Sequence, residues 1–152
     1  MVSFDEDKGR ENMQASLIKH LNNRFISYHD WIRGLSSEDL KAKLPVKKNK
    51  SLGEHFWCLI GARESYTRAL QAGVWVGFDC SLESIESPEK IQAKLESSAQ
   101  TFHQVLAAVD DWSEARQEIL LQLLEHETMH EGQMIRQMLA LELKLPKSVK
   151  WA

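Results

Sequence analysis

The sequence is poor in cysteine, in glycine and proline, and in long apolar runs. Its 152 residues include 2 Cys, 7 Gly and 3 Pro. Cys58 and Cys80 form no CxxC pattern, and we do not expect a disulfide between them. No run approaches the ~20 apolar residues of a membrane span, and the acidic residues 1–7 lack the apolar stretch of a signal peptide. We therefore expect a cytoplasmic protein, in a compartment where thiols stay reduced.

An excess of charge of one sign is also lacking. The formal net charge is -3, which provides no electrostatic footprint for nucleic acid or for an anionic membrane. Lys47, Lys48 and Lys50 share one loop, and we expect them to form a solvated surface. The length and the ordinary apolar content indicate a single globular domain over residues 1–152.

Four long helical segments with short connections are predicted from the spacing of apolar residues. In each segment, apolar side chains recur at intervals of three or four, which places them on one face of a helix. Glycine and proline fall mainly between these segments. We predict an all-α fold, an antiparallel four-helix bundle with short extra helical turns. The long helices are expected at residues 11–33, 51–73, 88–109 and 112–143, with a short turn of helix at 37–44.

Capping patterns mark the starts of three of these elements. Ser51 and Glu54 fit a capping box at the start of the second long helix. Ser37 is expected to cap the short turn of helix. Ser87 followed by Pro88 predicts the start of the third long helix, because proline suits the first helical position.

Two of the six histidines have the spacing of metal ligands. His126 and His130 are four residues apart, so they lie about 40° apart around a helix with Cβ atoms ~6 Å apart. Both rings can then reach one ion at ~2.1 Å. They share a face with Ile119, Leu123 and Leu141, so both should point into the bundle. Burial of two imidazoles costs free energy unless a metal ion or hydrogen-bonding neighbours compensate it.

A facing helix offers candidates for a third ligand. His55 and Cys58 are three residues apart in the second long helix, and bundle metal sites take ligands from facing helices. The apolar pattern places His55 near the centre of the buried face and Cys58 on its flank. His20, His29 and His103 have no partner at metal-ligand spacing, and we expect them at the surface or at the rim of the bundle.

Residues 126–130 also match the HExxH pattern of zinc proteases. The longer metzincin pattern fails, because Gly132 comes one position early and Arg136 stands where the last histidine belongs. No predicted strand precedes the helix, so we do not expect a protease. Glu127 projects onto the apolar arc, where an unpaired charge is expensive. We expect it to support a metal ligand, to shuttle a proton or to form an interface salt bridge.

Three segments carry a family resemblance. Residues 126–133 (HETMHEGQ) contain two histidines followed by Gly-Gln, and residues 51–60 (SLGEHFWCLI) open the second long helix. Together with residues 145–148 (LPKS), they resemble the DinB-like superfamily of bacterial metal-binding four-helix bundles, which includes thiol-dependent S-transferases. The order and lengths of the predicted helices agree with that family over nearly the whole chain.

The resemblance implies a three-histidine metal site with water completing the shell. One ligand comes from the second long helix and two come from the fourth. The family's position in the second helix falls on Cys58, whose thiolate is a good zinc ligand, whereas helical periodicity favours His55. A lost third ligand is the remaining possibility. The expected cofactor is a divalent metal ion, zinc or nickel, bound by His126, His130 and either Cys58 or His55.

Three protein ligands with an open position are typical of a catalytic site. The ion would lower the pKa of a bound water or thiol. The resemblance implies a transferase, in which a low-molecular-weight thiol attacks an electrophilic small molecule, or a hydrolase. The alternatives are a non-catalytic, stress-associated homodimer whose ion rigidifies the bundle, and an interaction module without metal. An enzyme requires a solvent-reachable pocket beside the metal, whereas a structural role requires a closed site.

Apolar residues outside the histidine face predict a homodimer. Leu120, Leu124, Ile135 and Met138 lie well round the fourth long helix from the histidines, and so wide an apolar arc needs burial on two sides. The apolar segment at residues 74–78 is expected to form a two-residue strand or a folded loop that packs against something, such as a partner subunit. DinB-like proteins are usually homodimers, which agrees with this interpretation.

Overall fold

Five α-helices make up most of residues 4–149, the part of the chain that the computed structural model describes. This part contains no strand, which confirms the predicted all-helical bundle, and residues 74–78 form a loop. None of the described helices is both long enough and apolar enough to cross a membrane. The helices are α1 (Phe4–Arg33), the short α2 (Ser37–Lys41), α3 (Leu52–Ala72), α4 (Pro88–Ala108) and α5 (Glu114–Ala140).

The four long helices enclose the core between them. Helix α3 packs against both α4 and α5, helix α1 packs against the same two, and α2 lies on α3. One cluster of buried side chains includes Tyr28, Phe56 and Met134. A second cluster includes Phe25 and Phe102, whose ring centroids are 5.3 Å apart in an edge-to-face contact. Every long helix therefore buries one face within a single chain.

Local capping explains where α2 and α3 begin. The Ser51 side chain accepts a hydrogen bond from the Glu54 N–H, and the Glu54 carboxylate accepts one from the Ser51 N–H, which confirms the predicted capping box. The prediction for Ser37 is wrong, because Ser36 caps α2. Asp39 stands at the third helical position counted from Ser36, and its carboxylate accepts a hydrogen bond from the Ser36 N–H at 2.8 Å.

Helix α5 is shorter than predicted at both ends, whereas α1 begins earlier than predicted. Ser113 caps the start of α5. At its other end, Glu142 adopts a left-handed φ of 57°. The N–H of Leu143 then donates to the Met138 carbonyl oxygen at 2.9 Å, which is the hydrogen bond of a Schellman ending. This turn ends the helix at Ala140, before the predicted end at residue 143.

Most of the α5 residues predicted to form a second, intermolecular face do not form one. Leu120, Ile135 and Met138 are buried in the core of their own chain, and Leu124 is half-buried. The reason is that α5 packs against both α1 and α3, so its wide apolar arc is covered on two sides within one chain.

The segment after α3 folds back along the outer face of that helix. The Ser65 hydroxyl accepts a hydrogen bond from the Asp79 N–H at 3.0 Å and donates one to the Asp79 carbonyl oxygen at 3.1 Å. A Cβ atom at Gly61 would overlap the Phe78 ring, so the glycine allows this close approach. All four apolar side chains of residues 74–78 nevertheless remain exposed, namely Val74, Trp75, Val76 and Phe78.

Candidate metal centre

Three histidine side chains meet where the first turn of α3 faces the middle of α5. His55 Nδ1 lies 2.8 Å from His130 Nδ1, and the ring centroids of His126 and His130 are 4.5 Å apart. His55 and His130 are buried, and His126 is half-buried. The structure thus places His130 against His55, one of the two α3 candidates, and His126 against His130. Outside this cluster lie the exposed His20 and His103 and the half-buried His29.

Burial lowers the pKa of all three clustered imidazoles. The pKa of His55 falls to about 4, mainly through burial and secondarily through the charge of Lys50. The pKa of His130 falls to about 3 through burial, with smaller effects of His126, His55 and Lys50. Burial and Lys50 also lower the pKa of His126. All three rings are therefore neutral at pH 7, which is the form that binds metal ions.

The donor chemistry of this cluster fits a divalent ion. His126 Nδ1 is buried without a hydrogen-bond partner among the described residues, so this nitrogen is free to bind a metal ion. Two nitrogens bound to one tetrahedral zinc ion lie about 3.4 Å apart. The His55–His130 pair would therefore have to open by about 0.6 Å from its 2.8 Å separation.

The three rings do not yet converge on one point. Among the described residues, no group of three or more His, Cys, Asp or Glu side chains is arranged to hold a metal ion. Metal binding at this cluster therefore requires a rearrangement of the rings, and the metal assignment stays a prediction.

Cys58 lies apart from the histidine cluster. Its Sγ atom is 2.8 Å from Lys50 Nζ, and it does not line the cleft beside the histidines. Three residues after His55, a side chain is turned about 60° around the helix axis, which explains the separation. Cys58 and Cys80 are both free thiols.

A buried ion pair lies next to the histidines in the sequence. Glu127 and Arg63 are both fully buried, with Nε 3.1 Å from Oε1 and Nη2 3.4 Å from Oε2. Arg63 also donates to the Leu95 carbonyl oxygen at 3.3 Å, and its guanidinium lies 3.7 Å from the centroid of the Phe25 ring. Burial raises the pKa of Glu127, while the charge of Arg63 acts in the opposite direction. Glu127 thus forms a salt bridge inside its own chain.

A second buried pair joins α5 to α1. Arg24 contacts the carboxylate of Glu131, which is 2% exposed. Apart from this ion pair, the carboxylate oxygens of Glu131 have no hydrogen-bond partner among the described residues. Tyr28, one turn after Arg24, donates its hydroxyl proton to the Glu127 carbonyl oxygen. Sequence reasoning missed both arginines, although Arg24 continues the apolar stripe between Leu21 and Tyr28.

An open cleft of about 870 Å³ lies beside the histidines. The loop at residues 42–50 forms one wall and α5 forms another. All three clustered histidines reach its surface, so a small molecule entering the cleft would contact them. The lining includes Lys48, Lys50, His55, His126, His130 and Arg136.

Compared with known proteins, the chain matches no protein-family model and no curated relative. The DinB-like resemblance therefore rests on residues 51–60, 126–133 and 145–148 and on the order of the helices.

Proposed function

We propose that this protein is a DinB-like, metal-dependent enzyme that acts on a small molecule. A divalent ion, zinc or nickel, would activate a low-molecular-weight thiol or a water for attack on an electrophile. The observation that carries the proposal is the open cleft of about 870 Å³ beside three neutral imidazoles. A catalytic metal site needs such access, whereas a structural site closes around four protein ligands.

In this proposal, His55, His126 and His130 hold the ion. When bound, the ion supplies a Lewis acid that lowers the pKa of a bound water or thiol. Burial keeps the imidazoles neutral and therefore ready to bind. Cys58 remains the alternative third ligand, which would require its thiol to leave Lys50.

The proposal includes the antiparallel four-helix topology. The contacts between α3 and α5 support this topology, because residues later in α3 contact residues earlier in α5. His55 contacts His130, Arg63 contacts Glu127, and further along α3 the Leu70 carbonyl oxygen accepts a hydrogen bond from Arg116. A reducing, cytoplasmic location remains part of the same prediction.

The second candidate function is a non-catalytic, metal-binding, stress-associated homodimer. The exposed apolar loop at residues 74–78 favours it, because Trp75 and Phe78 leave about half of their surface exposed, at 48% and 47%. Trp57, 38% exposed, extends this surface, and its ring centroid lies 5.2 Å from that of Phe78. A monomeric mass in sedimentation at micromolar concentration would contradict the dimer.

Metal content measured on untagged protein tests the enzyme proposal. We expect close to one divalent ion per chain in the wild type and none in the His126→Ala, His130→Ala double variant. His103→Ala is the matched control, because His103 is exposed and lies outside the cluster. Sub-stoichiometric metal that is unchanged in the double variant would overturn the proposal. Separate His55→Ala and Cys58→Ser variants identify the third ligand.

A further inference from the structure

The cleft beside the histidines has a positively charged lining. Lys48, Lys50 and Arg136 line it, together with uncharged side chains and the three neutral imidazoles, and no carboxylate is among its lining residues. In the described part of the chain, none of these three cations forms a salt bridge. By contrast, Lys43 at the start of the same loop pairs with Glu54 at 3.2 Å. The positive charge at the cleft is therefore left without a protein counter-charge.

The loop that carries the two lysines is anchored at both ends. Gln137 of α5 is 1% exposed, and its Nε2 donates to the Ala42 carbonyl oxygen at 3.1 Å and to the Lys50 carbonyl oxygen at 3.0 Å. Within the loop, the Asn49 side-chain oxygen accepts a hydrogen bond from the Leu44 N–H at 2.9 Å. These bonds hold the wall of the cleft in place, so its lysines are presented to the cleft by a fixed backbone.

The backbone at Lys48 supports the same interpretation. Its φ of 61° lies in the left-handed region, which side chains other than glycine, asparagine and aspartate rarely adopt. Strained positions of this kind collect at binding sites, where the surrounding structure holds them.

We propose that the cleft binds a small molecule carrying an oxyanion, a carboxylate or a phosphate, through Arg136 and Lys48. Lys50, whose Nζ lies 2.8 Å from Cys58 Sγ, adds its positive charge at the wall of the cleft. The planar guanidinium of Arg136 matches either group with two parallel N–H donors, and the lysines add point charges. Leu44 and Met129 also line the cleft and suit an apolar stem between the anion and the reactive end. The inference deepens the proposed function and rests on it, because that function places the reactive thiol or electrophile at the histidines.

A matched pair of thiols tests this inference. 3-Mercaptopropionate and 3-mercaptopropanol share one carbon chain and one thiol and differ in the carboxylate. We expect the metal-free, full-length protein to bind the carboxylate at least ~10-fold more tightly in calorimetric titrations. Added salt should weaken that preference, because exposed charges are screened. Inorganic phosphate serves as a competitor: displacement of the carboxylate indicates a general oxyanion site, and failure to displace it indicates a carboxylate site.

Charge-removing variants locate the site. Arg136→Gln and Lys48→Gln should each weaken binding of the carboxylate roughly 2-fold to 5-fold. Lys47→Gln is the control, because Lys47 is exposed in the same loop but does not line the cleft. Equal affinity for the two thiols, or an equal loss in the control variant, would overturn the inference.

The outcomes separate this inference from the proposed function. Binding of the carboxylate by a protein that takes up no metal would uphold the anion site and overturn the enzyme proposal. A protein that binds metal but does not distinguish the two thiols would overturn the anion site and leave the enzyme proposal standing.

Discussion

Replacing Glu127 by glutamine should destabilise the bundle strongly, because it removes one charge of the buried pair with Arg63. Both side chains are fully buried, so water cannot solvate the remaining guanidinium. Arg63 would keep the Leu95 carbonyl oxygen at 3.3 Å, the face of the Phe25 ring at 3.7 Å and one hydrogen bond to the neutral glutamine oxygen, but no counter-charge. Removing one partner of a buried pair costs about 3–5 kcal/mol. In a chain of this length, that loss lowers the melting temperature by roughly 6–20 °C.

Urea unfolding of the metal-free protein at neutral pH, followed by circular dichroism, measures this loss. Glu125→Gln is the matched control, since Glu125 is exposed and lies two residues earlier on the same helix. We expect the control to change the free energy of unfolding by less than about 0.5 kcal/mol. An Arg63→Met, Glu127→Leu double variant removes both charges and should be more stable than Glu127→Gln.

A loss below about 1 kcal/mol in Glu127→Gln would refute the reasoning. Glutamine is nearly isosteric with a protonated carboxyl group, so a small loss would mean that the buried carboxyl carries no charge. Burial raises the pKa of Glu127 and Arg63 opposes that rise, so this variant reports which of the two effects dominates.

Two further predictions concern the histidines and the loop on α3. In metal-free protein, the free energy of unfolding should have its highest value above pH 6.5. It should fall as the pH drops toward the pKa values of about 4 for His55 and about 3 for His130. The reason is that the unfolded chain then binds protons that the folded chain excludes. Urea unfolding at a series of pH values checks this, and a His55→Gln, His130→Gln variant with the same pH dependence would contradict it. Gly61→Ala should cost roughly 1–3 kcal/mol, since its Cβ would overlap the packed loop. Gly132→Ala, whose Cβ would meet no atom within 4 Å, should be neutral or stabilising by up to ~1 kcal/mol. Equal melting temperatures for the two variants would argue against the packing of the loop on Gly61.

Features that depend on a few neighbouring residues could be predicted from the sequence. The capping box of Ser51 acts within one helical turn, and the structure has it as predicted. The facing of His126 and His130 depends on the helical repeat alone, and the structure places the two rings together, with His130 against His55 of α3. The same repeat favoured His55 over Cys58 for the position opposite them, and His55 is the side chain that lies there.

Features that depend on how helices pack could not be predicted in this way. Periodicity places Arg63 on the inward face of its helix, but its partner lies 64 residues away, and the pairing depends on how α3 and α5 are rotated against each other. The lysines of the cleft were expected to be a solvated surface. Their placement depends on the path of the loop, which Gln137 determines from α5.

The polar contacts of α5 have a consequence for its axial register. Glu127 and His130 contact partners on α3, and Glu131 contacts a partner on α1. An apolar seam tolerates sliding, because a leucine can accept almost any apolar neighbour after a shift of one turn, ~5.4 Å. A shift of α5 by one turn would instead break all three polar contacts at once and leave buried charges unpaired. These three side chains, which lie within four residues of one another in the sequence, thus align α5 with its neighbours without a bound ion.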